Sequence, residues 1–172
     1  MLSYGDISLR SVNFIFLIIV LGLSGSLAAT TITQSNSQVN FCVFAAAFAL
    51  LTSTFYGLAA YFISFLASPL FLVIFDFLNF VFTFAGATAL AVAIRVHSCS
   101  NTKYLKSNNV AQGSSDRCRK AQATCAFLYF SFFIFLFSLA VQVISLLKNG
   151  LFGTSYSQSR QEQVFLHCPR FK

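Results

Sequence analysis

With 172 residues, 57% of them hydrophobic and only 9% charged, the chain is too apolar for a soluble domain, in which about a quarter of residues are charged. Eleven Lys and Arg against four acids give a formal charge of +7, but these cations form no long run and accompany no nucleic-acid motif. They read as flanks meeting anionic lipid headgroups, and nucleic acid is set aside as a partner.

No charged residue stands between Arg10 and Asp76, and none between Asp76 and Arg95. Such stretches hold several helices of the roughly 20 residues that cross a bilayer. Lipid offers no partners to unpaired backbone groups, and the polar alternation of a barrel strand is absent, so helices are the expectation. The first span is read over 12–29, with an amphipathic lead-in around Leu9 and Arg10 that Asp6 or Ser8 can cap. Ser26-Leu27-Ala28 resembles a signal-cleavage site. The 18-residue apolar run is nevertheless long for a signal core and one Arg makes a poor basic region, so the segment is read as retained.

Polar residues 30–38 end that span, and a second is expected over 39–65. Ser68-Pro69 then marks a break, since Ser caps well, Pro suits the first helical position, and the residue before Pro resists helix. A third span over 69–94 would thus form a tight hairpin with the second. Residues 95–120 form the one sizeable polar loop, carrying Arg95, Lys103, Lys106, Arg117, Arg119 and Lys120. The fourth span is read over 121–147. The fold class that follows is an all-α membrane protein, a four-transmembrane-helix bundle over 1–150 with a flexible tail over 151–172.

Four spans put both termini on one side and the polar loop on the other. Arg10, Lys148, Arg160, Arg170 and Lys172 then face the six cations of the loop side, and five against six does not orient the chain. Cys99 and Cys118 lie 19 positions apart around the loop. In an oxidising compartment a disulfide there is worth about 3 kcal/mol, and in cytosol both are free thiols. No zinc-like ligand spacing accompanies them beyond His97, so no metal is expected. Cys42 and Cys125 read as packing residues. Cys168 is fifth from the end, which misses the prenylation pattern and leaves palmitoylation as its modification.

Asp76 is the one ionisable residue well inside a span, about 10 Å along the helix from Pro69. With Asn79, Thr83 and Gly86 it follows a spacing of three, four and three, so the four share a face. That stripe is read first as a bundle-packing seam and second as a proton or lipid-headgroup site. Small residues at Cys42, Ala46, Ala49, Ser53, Gly57 and Ala60 suggest close helix approach in span two, and Gly22, Gly25 and Ser26 suggest it in span one. Thr52, Tyr56, Tyr129 and Gln142 join Ser53 as candidates for cross-helix bonds. The 23 Phe surround spans three and four rather than marking one face, as lipid-facing filling does, with a sterol or sphingolipid contact surface as the sharper reading. His97 and His167 flank different segments with no nucleophile signature, and no phosphate-binding Gly loop occurs. Neither catalytic residues nor a cofactor are expected.

Five runs carry a resemblance: 76–84 (DFLNFVFTF), 91–99 (AVAIRVHSC), Gln112-Gly113-Ser114, Arg117-Cys118-Arg119 and 126–131 (AFLYFS). Together they resemble the fungal non-classical export protein family, four-span proteins of MARVEL type. The likeness covers nearly the whole chain and is specific in spans three and four and their loop, with a tail that diverges beyond about Gly153. It implies a plasma-membrane address in furrow-like microdomains, cytosolic termini, a response to sphingolipid status, and peripheral eisosome proteins as partners. By the same resemblance Cys99 and Cys118 lie outside, consistent with a disulfide. Homo-oligomers enter with the rival expectation, a small channel or transporter that uses Asp76.

Overall fold

A computed structural model of the chain describes residues 4–32, 35–55, 69–95 and 97–149. Among these, α1 runs Tyr4–Ala29, α2 runs Ser37–Leu50 and widens into a π turn over Leu51–Phe55, and α3 runs Pro69–Ile94. A short α4, Thr102–Ser107, lies in the polar connection, and α5 runs Ser115–Asn149. Four of these helices are long and apolar enough to cross a membrane. Residues 56–65 of the second span, Ser68 before the Pro69 break, the tail over 151–172 and Cys168 lie outside the described residues.

Two boundaries move from the sequence reading. The amphipathic lead-in is continuous helix from Tyr4, and the last span begins at Ser115 instead of 121. Charged Asp116, Arg117 and Lys120 hide that start from a hydropathy argument, but a helix needs no apolar residues in a turn that stands outside lipid.

α1 packs on α2 and α5, and α3 packs on the same two, so the long helices close a ring with α1 and α3 on a diagonal. The seam is built from small and aliphatic side chains: Leu17, Val20, Leu27, Cys42, Ala46, Ala49, Ala87, Leu90 and Leu128 are fully buried. With no water to drive helices together, association rests on such close van der Waals fitting. Span two's small stripe turns inward from Cys42 to Ser53, while its continuation at Gly57 and Ala60 is outside the described residues. Span one behaves otherwise. A Cβ placed on Gly22 or Gly25 would meet nothing within 4 Å, so those glycines do not seat a neighbouring helix of this bundle, and Asn13, Leu17, Val20, Ser24 and Leu27 do that instead.

The phenylalanines face mostly away from the seam. Phe77, Phe84, Phe130, Phe133 and Phe137 are exposed while Phe135 is buried. Edge-to-face contacts of Phe82 with Phe44 and Phe48, and the stacked Phe80–Phe132 pair, tie neighbouring helices at the rim.

Candidate functional site

The intramembrane acid joins three helices. Asp76, 1% exposed on α3, takes a 2.8 Å ion pair from Arg10 of α1. It also accepts hydrogen bonds from Ser138 at 3.0 Å and Gln142 at 2.5 Å, both on α5. Gln142 donates in turn to Ser138 at 3.1 Å. Arg10 therefore reaches across the diagonal of the ring, and its charge neutralises an anion that hydrocarbon could not tolerate alone. Sequence reasoning saw Arg10 as an interfacial lead-in and missed this pairing. The available signal was level: Arg10 sits about 9 Å up α1 and Asp76 about 10 Å up α3, from ends on the same side.

The rest of the stripe divides by partner. Asn79 and Thr52 are within 3.0 Å of each other through Oδ1 and Nδ2, joining α3 to the π turn after α2. Thr83 turns back onto its own helix, donating to the Asn79 carbonyl at 2.7 Å. Gly86 accepts from the Cys42 thiol at 3.5 Å; a Cβ there would sit 3.7–3.8 Å from Cys42, Phe41 and Leu128, which is ordinary contact. Asp76, Asn79, Thr83 and Gly86 are thus on one buried face, as the spacing predicts, but they meet different neighbours and do not converge on one point. Of the other cross-helix candidates, Tyr129 meets Thr88 at 3.3 Å, Ser53 is buried, and Tyr56 is outside the described residues. Among the described residues, four buried polar side-chain atoms have no hydrogen-bond partner: Asn13 Oδ1, Ser131 Oγ and Gln142 Oε1 between the spans, and Arg117 Nη2 in the cap.

At the opposite end the polar connection folds into a cap. Cys99 and Cys118 are joined by a disulfide and pack with Leu105 and Ala111 in a small core of their own. Arg117 is 5% exposed and lies across the carboxyl end of α1. Its guanidinium donates to the Leu27 carbonyl at 3.1 Å, Thr30 Oγ1 at 2.6 Å and the Val110 carbonyl at 3.1 Å. The last carbonyls of a helix have no partner inside it and carry partial negative charge, so a cation there satisfies both needs. α3 is closed in the same way: Asn108 donates to the Ala93 carbonyl at 2.8 Å and the Tyr104 hydroxyl donates to Ile94. Burial pushes the Tyr104 hydroxyl above the usual tyrosine range, with nearby Arg95 opposing, so it stays a donor. Asn36 and Ile32 of the first connection bond to Asn109 and Gln112 of the cap.

One prediction follows directly. Arg117→Met keeps the apolar stem but strands the Leu27 and Val110 carbonyls, and should cost about 1–3 kcal/mol in thermal or denaturant unfolding of the solubilised protein. Arg119→Met, an exposed neighbour, should change it by less than about 0.5 kcal/mol.

Comparisons with known proteins agree with this architecture. Residues 3–141 match the membrane-associating domain called MARVEL. The chain is 67% identical over 155 residues to Non-classical export protein 102 of Candida albicans, covering 90% of this chain and 91% of the relative. It is 51% identical over 162 residues to Non-classical export protein 2 of Saccharomyces cerevisiae, covering 94% and 93%. With the Non-classical export protein 2 homolog of Schizosaccharomyces pombe it shares 39% identity over 126 residues, covering 73% and 69%. No solved structure matches.

Proposed function

The chain belongs to the fungal non-classical export protein family, with a MARVEL domain, and from that premise we propose that it organises plasma-membrane microdomains without catalysing a reaction. In this reading it is a sphingolipid-responsive factor in eisosome assembly, with both termini cytosolic and peripheral eisosome proteins as partners on that side. The relatives' names add a link to non-classical protein export.

The observation that carries the proposal is where the polar groups are spent. Asp76, the residue best suited to transport chemistry, is occupied by Arg10, Ser138 and Gln142, and the stripe beside it links helices or back-bonds to its own. Outside that seam the bundle offers a belt of exposed Phe, Ile, Val and Leu to its surroundings. A rigid body whose polar side chains are used internally and whose exterior is aromatic is suited to sorting lipids and neighbours. The disulfide supports the orientation, because such bonds persist in oxidising compartments.

A fluorescently tagged chain in fungal cells should appear in stable plasma-membrane patches that change when sphingolipid synthesis is inhibited. Uniform staining of internal membranes would sink the proposal.

The rival reading, an oligomeric channel or transporter using Asp76, draws on the unpartnered Asn13, Ser131 and Gln142 oxygens in the bundle. Proteoliposomes that conduct protons or solutes, and lose conduction with Asp76→Asn, would put it ahead.

A further inference from the structure

We propose that the hollow between the amino end of α2 and the carboxyl end of α3 holds the headgroup of a phospholipid whose phosphate carries a hydroxylated group, drawn from the leaflet on the loop side. The inference deepens the lipid-responsive part of the reading above and rests on it.

The hollow is an open depression of about 470 Å³, and Asn36, Gln38, Arg95, His97, Tyr104 and Asn108 are among its walls. Its depth in the bilayer follows from the chain: Asn36 and Gln38 begin one span, and Arg95 ends another. That is the level at which helices leave hydrocarbon and headgroups begin.

Charge selects the phosphate. Arg95 and His97 are the ionisable nitrogen bases of the wall, and among the described residues no carboxylate lines it. Asp116, at the start of α5, is 2.9 Å from Lys120 and is not a lining residue of the hollow. Lys103 and Lys106 raise the positive field around the same loop. The start of α2 adds to it. No acid occupies its first turn, and its N-cap residue Asn36 makes no side-chain cap bond, giving its amide instead to the Asn109 carbonyl at 2.8 Å. A helix start left in that state favours an anion nearby.

The remaining wall selects what the phosphate carries. Gln38 and Asn109 bring side-chain amides to the wall, while Asn36 Oδ1 and Ser107 Oγ remain as acceptors because their donors go to the Asn109 and Tyr104 carbonyls; such a set exchanges hydrogen bonds with a polyol in either direction. A choline group would need an aromatic cage or an acid; the wall offers a single tilted His97–Tyr104 pair and no carboxylate.

The site is built in advance of any ligand. Asn108 is held at both ends, donating to Ala93 and accepting from the Val110 and Ala111 amides at 2.9 and 3.1 Å. The Arg95 amide bonds back to Ala91 at 3.0 Å, which fixes the start of its departure from α3. The disulfide and the Asn36–Asn109 bond anchor the loop that lines one side of the space. The frame of the hollow is thus ordered in advance, and binding has chiefly the exposed Arg95 and His97 side chains left to fix.

The test uses the full chain in nanodiscs of phosphatidylcholine mixed with phosphatidylinositol, with retained lipid read by native mass spectrometry. Wild type should retain phosphatidylinositol over phosphatidylcholine, and Arg95→Gln/His97→Gln should lower that preference at least about tenfold, the loss of one charge-assisted contact. Lys103→Gln, which removes a loop charge outside the hollow, should leave it within about twofold, since a distant exposed charge is screened. An equal loss in Lys103→Gln would mean diffuse attraction and overturn the proposal, as would an unchanged preference in the double variant. Competition by soluble myo-inositol 1-phosphate should displace the lipid; failure at millimolar concentration would assign recognition to the acyl chains and also overturn it. Retention of free inositol phosphate without retained lipid would refute the lipid source. Unchanged circular dichroism and melting certify that the variants fold. A wild type that forms plasma-membrane patches yet shows no phosphatidylinositol preference would remove this site and leave the organiser reading standing. Absence of patches would strike that reading whatever lipid is retained.

Discussion

Arg10→Leu is expected to lower the stability of the detergent-solubilised bundle by about 3–5 kcal/mol, because it leaves a carboxylate buried without its countercharge. Asp76 is 1% exposed and its Arg10 contact is 2.8 Å; Ser138 and Gln142 contribute hydrogen bonds but no charge. Asp76→Leu should also be costly, since Arg10, Ser138 and Gln142 each lose a contact to it. The informative variant is Arg10→Leu combined with Asp76→Leu. Replacing both members of a buried pair with apolar groups often restores much of the loss, so the double variant should melt above either single one. Additive losses would show that the pair does not act as a unit. The same series separates structure from transport: a folded double variant that still forms membrane patches places Asp76 in the architecture, and a folded variant that loses a solute flux places it in the chemistry.

Reducing the Cys99–Cys118 bond, or replacing Cys118 with Ser, should cost about 3 kcal/mol through the freedom the open loop regains in the unfolded chain. The effect should be local in its dynamics. Hydrogen exchange should rise over residues 97–114 and at the capped ends of α1 and α3, where Arg117, Asn108 and Tyr104 bind the last carbonyls. The Arg10–Asp76 level, at the other end of the bundle, should be little changed. Cys42 and Cys125 are free, buried and inside the helices, so their replacement by Ala should leave the reductant response intact. In cells, labelling of Cys99 and Cys118 after reduction and of Cys168 only after permeabilisation is the expected pattern for cytosolic termini; labelling of all three on one side would contradict a four-span path.

The hydropathy of the chain made the four helices legible, and the third is helical from Pro69, the first described residue after 55. Helical spacing also placed Asp76, Asn79, Thr83 and Gly86 on one buried face. The partners were less visible. Arg10 is 66 positions from Asp76, and periodicity carries no information about which helices become diagonal neighbours. Arg117 read as one of six loop cations because its burial depends on where α1 ends, 90 positions away. Gly22 and Gly25 misled for the opposite reason: small residues permit a close approach but do not require one, and here the approach lies on the other side of α1. The cap was hidden for lack of a local pattern, since its bonds run between Asn, Tyr and Arg side chains and carbonyls of distant helices.

The length of α5 has a consequence for where such a molecule is comfortable. Between Lys120 and Lys148 it has 27 uncharged residues, which as a helix extend about 40 Å. Hydrocarbon about 30 Å thick cannot cover that without a tilt, and the disulfide at one end and the Asp76 bonds at the other hold α5 to its neighbours and restrict how far it leans. Bilayers a few ångströms thicker, such as those rich in sterol and sphingolipid, relieve the mismatch. The match between helix length and bilayer thickness is therefore a contribution separate from any contact with headgroups.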